Sequence, residues 1–381
     1  MDAADVAILG GGIIGCSAAA LLAERGATVI LVEATAIGAG ASGRNMGAIQ
    51  HPFDPVMAPL HRDSLDLYHA LTAEQVGFSL PPNPAGVLMI DTDADAARAQ
   101  ANRLATLVPE VGATYLDADE VASAEPSLIP GLAGCLLAGT GYPIPPASAT
   151  TGWARLAQRR GADLRIGKAG EPWIVEGRAQ GIRLADGTTI SADTVLVASG
   201  PWAPPHVDPT DAWRPITRTW GVTVQLDLGA AAPRHVVEQD EVDAVNRPVN
   251  AAAEAGAAPR DADPPSLFTV ASAGGVSTLG STFLLDEPDP ERVARLLIER
   301  GTRYLPAIAT ARVTEIRRCA RPQSVDGRPF IGPVKGVEGL FVCAGHGPWG
   351  ISTGPGSAAL AVSAILDGGA LPAALDPSRR T

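Results

Sequence analysis

The chain has 381 residues, 46% of them aliphatic, aromatic or cysteine, enough to fill a sizeable core and to exclude wholesale disorder. Its 29 basic and 41 acidic residues leave a net charge of −12, which argues against nucleic acid as the main partner. The length points to two joined domains, and no stretch approaches the ~18 uninterrupted apolar residues of a membrane span.

Residues 6–9 form a short apolar run of the kind a buried parallel strand makes. Neither a basic leader nor a cleavage site precedes it, so a cytoplasmic location is expected. A glycine turn follows, then an alanine- and leucine-rich helix over 16–25 and a second buried strand over 27–32 that closes on Glu33. This is a βαβ unit, the start of a doubly wound sheet. Residues 38–47 are too glycine-rich and polar for a regular element and read as a loop that touches something. Helices are expected over 64–76, 93–107, 149–160 and 291–304, and strands over 86–91, 215–226 and 340–344. Residues 161–197 read as alternating short strands, and 266–283 have strand composition. The proline- and glycine-rich stretch 139–148 reads as a crossing between domains. Residues 242–265, dominated by alanine, proline and aspartate, read as a mobile loop or lid. The eight arginines between 292 and 321 read mostly as a solvated helix face. Cys16, Cys135, Cys319 and Cys343 lie far apart without a CxxC pair, which suits a reducing compartment and suggests no metal site.

Gly10-Gly11-Gly12-Ile13-Ile14-Gly15 matches GxGxxG directly after a strand and before a helix. Gly10 permits the tight turn, Gly12 lets backbone approach a diphosphate, and Gly15 lets helix and strand pack closely. The helix N-terminus then faces the diphosphate with free N–H groups, and Glu33, 18 residues on and followed by Ala34, is placed to accept ribose hydroxyls. A second GxGxxG, Gly345-His346-Gly347-Pro348-Trp349-Gly350, again joins a strand to a helix. No further strand and acid follow its helix, which stops near 368–369, so this turn is read as returning to the same cofactor and supporting an electron-rich ring.

With the stretches 40–47, 198–202 and 321–333 added to these two turns, the sequence resembles the D-amino acid oxidase-type FAD-dependent oxidoreductases. That family includes glycine oxidase, sarcosine oxidase and D-amino acid dehydrogenase. The resemblance implies an α/β fold in which a Rossmann-like FAD domain (1–80, 145–212 and 318–381) is interleaved with a smaller antiparallel-sheet substrate domain (81–144 and 213–317). It implies bound FAD and oxidation of the C–N bond of a D-amino acid, glycine or N-methyl amino acid to an imine, by hydride transfer to flavin N5. A 2-hydroxy acid oxidase or dehydrogenase, or the FAD-bearing subunit of a larger amino acid dehydrogenase complex, is the alternative.

Carried over by position, Ser42, Arg44, Asn45, Met46 and Gly47 fall to the diphosphate and ribityl side, and Ser199, Gly200 and Trp202 pass close to the cofactor. Gly345, Gly347, Gly350, Ile351 and Ser352 fall along the flavin edge. Arg321 stands where relatives hold the substrate carboxylate, a task suited to a planar, permanently charged fork; a structural ion pair with Asp326 is the other reading. Cys319 stands where the sarcosine-oxidase branch attaches flavin covalently, or is simply a packed thiol. His51, His346 and Trp349 are candidates for the substrate pocket, with Trp220 and Tyr142 behind them. Only two lysines occur, Lys168 and Lys335, so the substrate domain lacks the lysine that assists oxygen in the sarcosine-oxidase branch. The expected partners are a small amino acid or amine and an acceptor: O2, a quinone or a partner subunit.

Overall fold

The computed structural model of the chain describes residues 2–239 and 266–379. The expected loop 242–265 lies outside them.

Two eight-stranded sheets carry the fold. In the first, the strands Leu340–Ala344, Thr189–Val197, Asp2–Leu9, Val29–Glu33 and Asp163–Ile166 run parallel in that spatial order. Phe330–Pro333 closes one edge antiparallel, and the hairpin Gly170–Val175/Arg178–Leu184 adds antiparallel to Thr189–Val197. Alternate residues serve opposite faces, as the pleat requires. Ile8, Leu31 and Leu196 join one core cluster, and Ala7, Ile30, Val195 and Val197 join another.

The first face is covered by three helices, Ile13–Glu24, Ser148–Arg159 and Gly350–Asp367. Small residues set how closely they pack. A Cβ on Gly356 would stand 2.2 Å from the Leu60 carbonyl oxygen of the helix Ala58–Ala73. The Gly356 N–H instead takes a hydrogen bond to Ser64 Oγ at 2.9 Å.

The second sheet runs in the order Arg312–Ser324, Ile216–Asp227, Val276–Thr282, Ser266–Ala273, Val236–Gln239, Val87–Asp91, Ala133–Leu137 and Ala113–Leu116. Among the described residues of this sheet, only the Val236–Gln239/Val87–Asp91 pair is parallel. The helix Pro290–Thr302, capped by the Asp289 side chain, covers one face through Val293, Ala294 and Leu297. The opposite face looks across to the carboxyl ends of the first sheet. Between the sheets, Ala48–Ile49 pairs with Tyr142–Pro143.

The basic run departs from expectation. Its C-terminal third is not a solvated helix face but the 13-residue strand Arg312–Ser324, paired throughout with Ile216–Asp227. Alternation sends Arg317 to the interior, where its guanidinium meets the carbonyls of Gly43 and Asn45. A domain boundary between 317 and 318 would therefore fall inside a strand of the second sheet. The helix expected from 64 begins six residues earlier, at Ala58, with Pro59 in its first turn.

Candidate active site

One cavity of about 1570 Å³ runs between the sheets. That is more than the ~300–1,000 Å³ of a pocket for one drug-sized ligand, and its length suits an extended dinucleotide with a substrate beyond it.

Its first end is built largely from backbone. Gly10, Gly12, Ile13, Ile14, Glu33 and Ala34 line it. Gly10 adopts φ +111°, and a Cβ there would stand 2.5 Å from the Ala198 carbonyl oxygen. Gly15 does not line the cavity; it sits behind, where a Cβ would meet the Gly10 carbonyl oxygen at 1.9 Å. Glu33 Oε2 accepts the Gly11 N–H at 2.7 Å and Oε1 accepts the Thr35 N–H at 2.8 Å, leaving acceptor capacity for hydroxyls. The N-cap Gly12 offers no side chain to the helix, and Ser42 Oγ accepts the Ile13 N–H at 3.0 Å. The Ile14 N–H has no partner among the described residues, so the helix N-terminus presents a donor and its dipole to the cavity. Trp202 and Ser199 stand on the same wall, Trp202 exposed and Ser199 hydrogen-bonded to His206 Nδ1 at 2.8 Å, with Gly200 between them.

The middle of the cavity is walled by the loop after Glu33. The Asn45 amide donates to the Ser42 carbonyl at 2.7 Å, and its carbonyl accepts the Gly47 N–H at 2.7 Å, so Asn45 shapes the loop while also facing the cavity. Gly47 and Gly345 support the wall from behind, both at positive φ. Arg44, exposed, donates to the Arg318 carbonyl at 2.9 Å. Met46 lies against Gly280.

The far end combines the second sheet with the C-terminal turn. Gly347, Trp349, Gly350, Ile351 and Ser352 line it, and Trp349 meets Phe53 edge-on at 6.4 Å. His346 also lines it but is fully buried, its Nε2 paired with Ser357 Oγ at 2.9 Å, and burial pushes its pKa down to about 3. His51 is buried against His61, ring centroids 5.1 Å apart, and burial also lowers its pKa. Neither imidazole is a free acid near neutral pH. Trp220 and Tyr142 do not line the cavity.

Arg321 lines this end. Its side chain crosses over Gly221 and donates to the Thr282 carbonyl at 2.8 Å and to Ser281 Oγ, with Phe283 4.6 Å below the guanidinium. Gly221 leaves that path open, because a Cβ on residue 221 would stand 2.5 Å from Arg321 Nη1 and the guanidinium would have to shift. Asp326, the alternative partner, is bound by Arg379 instead. No carboxylate pairs with Arg321 among the described residues. Cys319 lines the same wall. Its Sγ donates to the Arg44 carbonyl, and burial raises its pKa despite Arg321, Arg44 and Arg317 nearby. Sequence reasoning passed over Gly221, Gln50 and Glu238, all on the cavity wall. Pairing across the second sheet brings Gly221 and Glu238 there, and a backbone hydrogen bond to Ser352 Oγ holds Gln50.

Residues 5–364 match the family of FAD dependent oxidoreductases, DAO. The chain belongs to this family. The bifunctional tRNA 5-methylaminomethyl-2-thiouridine biosynthesis protein MnmC of Chromohalobacter salexigens is 29% identical over 423 residues, covering 95% of this chain and 54% of that protein. This chain thus spans about half of that relative's length. Glycine oxidase of Pseudomonas aeruginosa is 26% identical over 369 residues, 93% of each chain. The crystal structure of glycine oxidase from Bacillus cereus matches this fold with a TM-score of 0.83 at 23% identity, over 99% of each chain. The chain is an FAD-dependent oxidoreductase with the mixed α/β fold of that family. No described helix is long and apolar enough to cross a membrane, and no group of three or more metal-ligating side chains occurs among the described residues.

Proposed function

We propose that this enzyme oxidises the C–N bond of an amino acid or N-substituted amino acid to an imine, which water hydrolyses to a carbonyl compound and an amine. One observation carries the reading: Arg321 holds an enclosed guanidinium on the cavity wall, braced by neutral partners and lacking a carboxylate among the described residues. Arginine stays charged in proteins, so that site is complementary to a substrate carboxylate. The names of relatives, glycine oxidase among them, agree with such a substrate.

FAD, when bound, supplies the two-electron acceptor. Gly10–Ile14, Glu33, Ser42 and Asn45 would hold its nucleotide and diphosphate, and Gly347–Ser352 its ring end. The protein's own residues mainly orient the substrate. Arg321 fixes the carboxylate in a two-pronged grip, and Phe283 and Trp349 wall the site against water. His346, held neutral, adds no charge there. Cys319, kept a thiol by burial and bonded to the Arg44 carbonyl, supports FAD held without a covalent link.

The acceptor belongs to the same proposal. Lys168 lines the cavity at the Glu33 end and reaches toward Asp186, and Lys335 does not line it, which supports transfer to a quinone, carrier or partner over direct reaction with O2. The four cysteines, all buried and with no disulfide among them, support a reducing, cytoplasmic setting. The test is product analysis. Incubation with amino acids and an artificial acceptor should release ammonia or the parent amine; turnover of 2-hydroxy acids without amine release would overturn the reading.

A further inference from the structure

The second sheet places one more charge in the substrate end. Glu238 lies in the short strand Val236–Gln239, beside Met89 on one neighbour and Thr269 on the other, and all three side chains face the cavity. Val237, between, points to the opposite core with Leu88 and Val270. Gln50 Nε2 donates to Glu238 Oε1 at 2.6 Å. That neutral amide is its hydrogen-bond partner; no cation pairs with Glu238 among the described residues. Gln50 is itself fixed, its backbone N–H bonded to Ser352 Oγ at 2.9 Å. A carboxylate enclosed without a paired cation among the described residues is costly, so its presence beside Met89, Leu267 and Thr269 calls for a ligand that repays it.

We infer that Glu238, oriented by Gln50, is a specificity-determining anchor for a second, distal cationic group on the substrate, so that the preferred substrate is an amino acid bearing an additional basic nitrogen. The spacing separates this from a grip on the reacting amine. The Arg321 guanidinium is held over the strand Val276–Thr282 by Thr282 and Ser281. Glu238 lies two strands further along the sheet, roughly 10 Å away at the usual inter-strand spacing. A carboxylate and the amine on the adjacent carbon do not span that gap, whereas a basic group several bonds further along a side chain does. Burial raises the Glu238 pKa and the Gln50 hydrogen bond opposes that rise, which favours the carboxylate once a cation arrives.

The inference rests on Arg321 holding the substrate carboxylate, and binding without turnover tests both. Titration of the flavin absorption band of the FAD-loaded enzyme with 5-aminopentanoate and with pentanoate gives two dissociation constants. The aminated ligand should bind at least tenfold more tightly, and Glu238→Gln should shrink that ratio at least fivefold. The Gln50→Leu variant, which leaves the carboxylate in place but unoriented, should shrink it by a smaller factor. A ratio near one, or one unchanged by Glu238→Gln, overturns the Glu238 anchor alone. Binding of neither ligand, or binding of both indifferent to Arg321→Lys, removes the carboxylate site and this inference with it. A uniform loss of turnover in Glu238→Gln on neutral and cationic amino acids alike would place Glu238 at the reacting amine and also overturn it.

Discussion

The two ends of the cavity are made in different ways. At the Glu33 end the contacts are mostly backbone N–H groups, a helix terminus and closely spaced glycines within residues 10–47 of one βαβ unit and its loop, with Ser199–Trp202 beside them. At the Arg321 end they are side chains delivered by strands far apart in sequence: Glu238, Thr269, Ser281, Arg321 and Gly221, which acts by having no side chain. Local geometry constrains the first end so tightly that few residue types are allowed. The second end tolerates many side chains on the same backbone, and there chemistry is chosen.

Substitutions at the two ends should therefore fail differently. The largest effect is expected at the first. Gly15→Ala puts a methyl group 1.9 Å from the Gly10 carbonyl oxygen, a clash the backbone cannot relieve without moving the glycine turn. Overpacking of this kind costs about 1–3 kcal/mol or more. The purified variant should lose most of its flavin, read as the ratio of flavin to protein absorbance; full flavin content would show that the glycine turn tolerates the methyl group.

At the second end flavin should stay bound while kinetics change. Arg321→Lys replaces a two-pronged grip with a point charge, and losing such a charge-assisted pair costs roughly 1.5–3 kcal/mol. The KM for a carboxylate substrate should rise at least tenfold with flavin content unchanged, and wild-type kinetics would move the anchor elsewhere. Gly221→Ala sharpens the point, because it leaves Arg321 in place and blocks its path. Its KM should rise several-fold, less than in Arg321→Lys, and an unaltered KM would show that the guanidinium has another route.

The smallest effect concerns acid. Burial lowers the pKa of His61 to about 4 and of His346 to about 3, from an ordinary 6.5. Below pH 6.5 the unfolded chain takes up protons that the folded one refuses. The stability these neutral imidazoles contribute is complete above pH 6.5 and is lost as pH falls towards 4 and 3, at most about 1.4 kcal/mol per pH unit for each group. The Tm should fall by several degrees between pH 7 and 5; a level Tm over that range would contradict the burial argument.

The same contrast explains what could be read from the sequence. The glycine turns, the strand ending in Glu33 and the small-residue helix Gly350–Asp367 announce themselves through spacing, because each spacing enforces a local geometry. Arg321 was legible as a candidate from its place in a family-like stretch. Its neighbours were not: eight arginines over thirty residues suggest a charged helix surface, whereas pairing across the sheet turns Arg317 and Arg321 inward. Glu238 lies in a four-residue strand too short to show a period, and Gly221 matters only because Arg321 passes over it.

We propose that an enclosed arginine, Arg321, presents a carboxylated amine to FAD. Anaerobic addition of amino acids and of the matching 2-hydroxy acids to the yellow enzyme, followed by its absorption spectrum, tests it most directly. At least one amino acid should bleach the flavin band, and the bleaching should be strongly slowed at subsaturating substrate in Arg321→Lys. Bleaching by 2-hydroxy acids and by no amine would contradict it.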